Sequence, residues 1–154
     1  INQGDTLTCT WNGSGALSSA GVNFSTGGAI SGSVILSPTA NTTYGVVFTY
    51  NSGQYSPSTV QSSVGVTVLN PALSIAASPG SVRSGRTSTV TWSATSVDSC
   101  TITGPNGFSY NTVSGSAGTG ALTQQSTYIL TCQNAGGTVS ASAVVTIIPS
   151  FEEF

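Results

Sequence analysis

The sequence predicts an all-β protein built as two tandem β-sandwich repeats. Apolar residues fall in short alternating runs of Val, Ile, Leu, Tyr and Thr, the mark of half-buried strands and not of helices. Gly, Pro, Asn and Ser punctuate those runs at roughly the 8–12-residue spacing of a many-stranded sandwich. The pattern Gly-x-Thr-x-Thr-x-Thr-Trp occurs twice, from Gly4 to Trp11 and from Gly85 to Trp92.

In the second repeat, "ALSIAA" from Ala72 is expected as the first strand and "RTSTVTWSA" as the second. The latter places Val90, Trp92 and Ala94 on one face and Thr87, Thr89 and Thr91 on the other. "DSCTIT" and "FSYNTV" form a hairpin about Asn106-Gly107, a strong turn signal. A short strand is expected near "GALTQ", at 120–124. "STYILTCQN" and "GTVSASAVVTII" follow, the last with Val139, Ala141, Ala143, Val145 and Ile147 on one face.

The first repeat follows the same plan. "DTLTCTW" matches the Trp92 strand, "TTYGVVFTYNSG" matches "STYILTCQNAGG", and "SSVGVTVLNP" matches "SAVVTIIP". The expected domains are 1–70 and 71–148, with a tail at 149–154. In front of the Trp92 motif stands about a strand's length of sequence, "LSIAASPGSV"; only three residues precede Gly4. The first domain therefore reads as lacking its first strand.

Composition excludes several functions. Of 154 residues 4% are charged, with two Arg, no Lys, no His and four carboxylates. Such a chain cannot neutralise a run of phosphates, so no nucleic acid is expected, nor docking on an anionic membrane. No apolar run approaches the ~20 residues of a spanning helix, so no direct membrane insertion is expected. Hydroxyl side chains in place of Lys and Glu fit an extracellular or cell-surface location. Without His no catalytic triad can be assembled, and without Lys no Ser-Lys pair. Asp5 and Asp98 stand at non-equivalent places in different repeats, and no loop gathers the acidic ligands of a Ca²⁺ site. No catalytic residue, metal or cofactor is expected.

From 73 to 148 the sequence resembles the bacterial immunoglobulin-like repeats of secreted and cell-surface proteins. The motifs are Thr-Trp-Ser at 91–93, Ser-Cys-Thr at 99–101, Thr-Tyr-x-Leu-Thr-Cys at 127–132 and Ala-Gly-Gly at 135–137. The resemblance implies a β-sandwich with a Cys100–Cys132 bond, used as a spacer, stalk or assembly module. Trp92 precedes Cys100, the reverse of the order in antibody domains, so the bond is expected to join neighbouring strands of one sheet. In the first repeat Phe48 stands where Cys132 would be, and no Cys matches Cys100.

Cys9 is in phase with Trp11 and aligns with Val90, so Cys9, Val90, Trp11 and Trp92 are expected in the cores. Asn12, Asn23 and Asn41 head sequons and are candidate glycosylation sites. Tyr50, Tyr55 and Tyr110 lie near turns and are the candidates for stacking on a sugar.

A first domain without its first strand exposes an edge at Thr6, Thr8, Thr10 and Trp11, and such an edge must be filled. Two sources are open: a strand upstream of this sequence in a longer parent chain, or the tail, whose Pro149, Phe151 and Phe154 align with the start of a further first strand and make it a candidate donor. The leading reading is an extracellular structural subunit of a surface appendage or filament, its partners being copies of itself, joined head to tail by strand complementation, or neighbouring domains of a longer surface protein. The alternatives are a carbohydrate- or ligand-binding accessory module, with a glycan as ligand, and a virion surface decoration protein.

Overall fold

The computed structural model describes residues 1–51, 53 and 57–149, which hold strands and turns and no helix. The chain divides into two compact units, Ile1 with Gln3–Leu69 and Asn2 with Asn70 onward.

The first unit contains β1 (Leu7–Asn12), β2 (Ser18–Val22), β3 (Ser31–Leu36), β4 (Thr42–Tyr50) and β5 (Ser58–Val66). β1 and β3 make one antiparallel sheet, and β2-β4-β5 the other. β4 supplies the centre of the core, because its alternation turns Tyr44, Val46 and Phe48 inward together, all buried. Ile1–Gln3 run parallel to Thr67–Leu69. The Leu69 N–H donates to the Ile1 carbonyl at 2.9 Å and the Gln3 N–H to the Leu69 carbonyl at 2.9 Å.

The second unit contains β6 (Ala72–Ser78), β7 (Ser81–Arg83), β8 (Thr89–Thr95), β9 (Ser99–Thr103), β10 (Ser109–Tyr110), β11 (Ser114–Gly118), β12 (Ser126–Asn134) and β13 (Gly137–Ile148). One sheet has the order β6-β8-β11, the other β10-β9-β12-β13-β7. This is the strand order of an immunoglobulin-like sandwich, so the chain is two tandem domains of that class. The opening strand is split between the sheets. β6 pairs antiparallel with β8, the chain turns through Pro79 and Gly80, and β7 then runs parallel to the end of β13. Ile1–Gln3 are the first domain's version of β7, since Asn2 lies opposite Leu69 as Arg83 lies opposite Ile148.

Val90, Ile102, Leu122, Tyr128, Leu130 and Val145 are fully buried, with Trp92 and Phe108 packed on them. Asn106 and Gly107 take positive φ of 58° and 76°, closed by Phe108 N–H to Pro105 carbonyl at 3.1 Å, the primed turn that Asn-Gly favours.

Two expectations need correction. The short strand is not at 120–124 but at Ser114–Gly118; Leu122 makes one bridge, to Arg86, and its side chain fills the core. "SGSAG" carries no apolar alternation, yet its Gly115 lies opposite Trp92, where a Cβ would stand 2.5 Å from the indole. The hairpin's second arm is also shorter than "FSYNTV", because only Ser109 and Tyr110 pair with β9 before the chain leaves for β11.

Candidate functional site

In the second domain β8 has neighbours on both sides, β11 and β6. In the first, β1 has β3 on one side, and among the described residues no strand lies along the other. The free edge can be assigned atom by atom. Gly13 N–H donates to the Ile30 carbonyl at 2.7 Å, across to the β3 side. The two-residue period then directs the N–H groups of Leu7, Cys9 and Trp11 toward β3, and those of Thr8, Thr10 and Asn12 outward.

Beside that edge the sandwich is open. Leu7, Cys9 and Trp11 form one wall of a groove, Ser62, Val64 and Val66 of β5 the other, and Tyr44, Val46 and Phe24 line the floor. The groove comprises adjoining cavities of about 230 Å³ and 510 Å³ that share Cys9, Thr10, Tyr44 and Val64. None of the side chains lining it is charged.

The second domain shows what a cover does at the same positions. Val145 is 0% exposed and its counterpart Val66 is half-buried; Ala143 is half-buried and its counterpart Val64 is 57% exposed. The groove walls are firmly held. Trp11 donates its indole N–H to the Ala29 carbonyl at 2.8 Å, as Trp92 does to Thr112 at 3.2 Å. Its ring packs on Phe24 at 5.4 Å, and Phe24 on Tyr44 at 6.4 Å, repeating the chain Trp92–Phe108–Tyr128. Sequence reasoning passed over Phe24 and Phe108; the available signal was that Phe24–Phe108 and Tyr44–Tyr128 share one spacing.

The candidate residues fall as follows. Thr8 and Thr10 lie on the free edge, Thr6 just ahead of β1, and Trp11 presents its ring to the groove while its N–H turns to β3. Val90 and Trp92 are buried. Cys9 and Trp11 are a correction, for both are half-buried walls of the groove and not covered core, because among the described residues no strand occupies the place of β6. Pro149 is exposed, and Phe151 and Phe154 lie outside the described residues.

Cys100 and Cys132 are bonded directly across β9 and β12 of one sheet, their Cα atoms 4.0 Å apart. Asn12 is exposed at the end of β1. The other sequon side chains hold loops in place: Asn23 Nδ2 donates to the Thr43 carbonyl at 2.7 Å and Asn41 Oδ1 accepts the Val68 N–H at 2.8 Å. Tyr50 is half-buried at the end of β4 and Tyr55 lies outside the described residues. Tyr110 is 44% exposed and leans on Trp92 at 5.6 Å, beside a cleft shared with Asn106, Thr119 and Gly120.

One buried polar group stands out in the second domain. Tyr128 is fully buried, and its hydroxyl has no partner in hydrogen-bond geometry among the described residues. The neighbouring hydroxyls are engaged elsewhere, Thr119 donating to Gly120 and Ser126 to Gln124. Burial pushes the phenol up from its ordinary 10.0, against a smaller downward pull from Thr119 and Ser126. Among the described residues no three His, Cys, Asp or Glu side chains gather to hold a metal. No helix there is long and apolar enough to cross a membrane.

The strand order defines two tandem immunoglobulin-like β-sandwich domains. No family model matches the sequence. No curated protein matches it either. Among solved structures, a chimeric titin Z1Z2-Z1Z2 tandem carrying a GRGDS peptide from fibronectin is similar, at 15% identity and a TM-score of 0.39, over 96% of this chain and 93% of that one. The assignment of fold rests on the strand order described above.

Proposed function

We propose that this chain is a non-enzymatic extracellular structural protein whose first domain accepts a β-strand from another copy, joining copies head to tail in an appendage or filament. The observation that carries the reading is the free edge of β1 beside a groove that no charged side chain lines. Unpaired outward N–H and C=O groups make such an edge a template for strand addition. A contact between unlike surfaces of identical subunits propagates and does not close as a two-fold dimer. The buried Cys100–Cys132 bond fits an oxidising compartment.

The tail is a poor donor as it stands. Successive residues of a strand face opposite ways, so Glu153 shares a face with Phe151 and Glu152 with Phe154. Any register that lowers one phenyl ring into the groove brings a carboxylate with it. The proposal therefore rests on the acceptor.

The test is sedimentation of the full chain and of Thr10→Pro. The Thr10 N–H points outward, so proline removes no bond to β3 yet blocks the edge. Concentration-dependent polymers of the parent, lost in Thr10→Pro with both domains still folded, support the reading; equal polymers in both contradict it. A glycan-binding reading has the exposed Tyr110 in its favour, and glycan-array binding lost on Tyr110→Ala is what would establish it.

A further inference from the structure

We infer that the cleft beside Tyr110 in the second domain binds a neutral saccharide. The inference rests on the glycan-binding reading and gives it a site; it is independent of strand addition at β1. Tyr110 stands on β10, the edge strand of its sheet, and is 44% exposed. Trp92 backs its ring at 5.6 Å with the planes 34° apart, and Phe108 meets it edge-on at 5.1 Å and 76°. The ring is held with one face toward the indole, which leaves its exposure to the opposite face. An aromatic face carries partial negative charge and attracts polarised C–H groups, such as those on the apolar side of a pyranose.

The cleft suits such a ligand in size and in chemistry. Its volume is about 320 Å³, at the lower end of the ~300–1,000 Å³ of small-molecule sites and enough for a mono- or disaccharide. No charged side chain lines it, so a cation or an anion would find no partner there. The exposed Asn106 offers hydroxyl groups an amide donor and a carbonyl acceptor. The wall at 118–120 is fixed before any ligand arrives. Thr119 N–H donates to the Ser88 carbonyl at 2.9 Å, while its hydroxyl accepts the Ser88 N–H at 2.9 Å and donates to the Gly120 carbonyl at 2.8 Å. A rigid ring facing a rigid wall lowers the ordering cost of binding. The first domain has no such place. Two residues past Phe108 stands Tyr110, but two past Phe24 stands Thr26, buried and donating to the Ser19 carbonyl at 3.0 Å. Three residues past Gly115 stands Gly118, where a Cβ would touch nothing, but three past Gly32 stands Ile35, 70% exposed. The repeats diverge at the platform and at the wall, while the rings behind them are kept.

The test follows backbone amide chemical shifts of the full chain, at a concentration where it is monomeric, during titration with cellobiose, maltose, lactose and chitobiose. Saturable shifts at Asn106, Gly107, Gly118 and Gly120 are expected with at least one of these sugars. Tyr110→Phe keeps the ring and is expected to bind as the parent does. Tyr110→Ala is expected to lose the shifts. Gly118→Ile, which fills the cleft with the side chain the first domain carries there, is expected to lose them without touching the ring. Both positions are exposed, and the remaining amides report that each variant is folded. Shifts that persist in either variant place the sugar elsewhere and overturn the cleft while leaving the glycan reading intact. No saturable shift with any of the sugars overturns both. A response of these amides to tetramethylammonium and to no sugar makes the ring a cation platform and overturns the saccharide.

Discussion

Cys9 and Val90 occupy the same place in the two sandwiches, and only Val90 is covered: it is fully buried beneath β6, whereas Cys9 is a half-buried free thiol facing the groove. Around both, the same set of rings repeats: the tryptophan two positions on, the glycine beneath its indole, and the phenylalanine and tyrosine behind it. Val90 has β6 beside it, and among the described residues Cys9 has no strand in that place.

Thiol accessibility should report that difference. In the native, unassembled chain, alkylation is expected to add one label, at Cys9, and none at the buried, bonded Cys100 and Cys132. Three labels are expected after reduction and unfolding. Intact mass before and after reduction checks this, and three labels on native protein would mean the bond is not present in solution.

The bond itself should matter to one domain only. It closes a separation of 32 residues within the second sandwich, so its removal is expected to cost about 3–4 kcal/mol in the chain-entropy account. Calorimetry with and without reductant should move the second domain's transition down and leave the first domain's in place.

The glycines beneath the indoles give a comparison between domains. A Cβ at Gly32 would lie 2.7 Å from Trp11 and at Gly115 2.5 Å from Trp92. Overpacking of this kind costs about 1–3 kcal/mol. Gly115→Ala should fall at the upper end, because Trp92 is boxed in by β6, and Gly32→Ala at the lower, because Trp11 has the groove to shift into. Denaturant midpoints of the two variants decide the order.

Alkaline pH should weaken the second domain through Tyr128. Burial raises its phenol above 10.0, so the folded state holds the proton more tightly than the unfolded chain. That contribution is fully present below pH 10 and is lost as pH rises through the folded value. Tyr128→Phe should remove the alkaline loss and change stability little at neutral pH, since the hydroxyl it deletes is buried without a partner. Unfolding curves from pH 8 to 12 would show it, and an unchanged alkaline loss in Tyr128→Phe would contradict it.

Much of the architecture was legible because strands announce themselves by alternation. "STYILTCQN" and "GTVSASAVVTII" match β12 and β13 residue for residue. β11 was not legible, since Ser-Gly-Ser-Ala-Gly offers no apolar face and is held by the pairing of Gly115 with Trp92. Of the site, the free edge could be read from the offset between the repeats. The groove could not, because the exposure of Cys9 depends on the absence of a neighbour, and a residue's own pattern does not record what lies beside its strand. The two-residue strand period also splits the Phe151-Glu152-Glu153-Phe154 run between faces, a limit on the tail that its apolar content alone conceals.

The central claim is that β1 is an unfilled acceptor, and amide exchange across concentration tests it most directly. Thr8, Thr10 and Asn12 should exchange fast in dilute protein and slowly once copies assemble. Their counterparts Thr89, Thr91 and Ser93, paired with β6, should stay slow throughout. Slow exchange at Thr8 and Thr10 at every dilution, or fast exchange that persists in assembled material, would contradict the account.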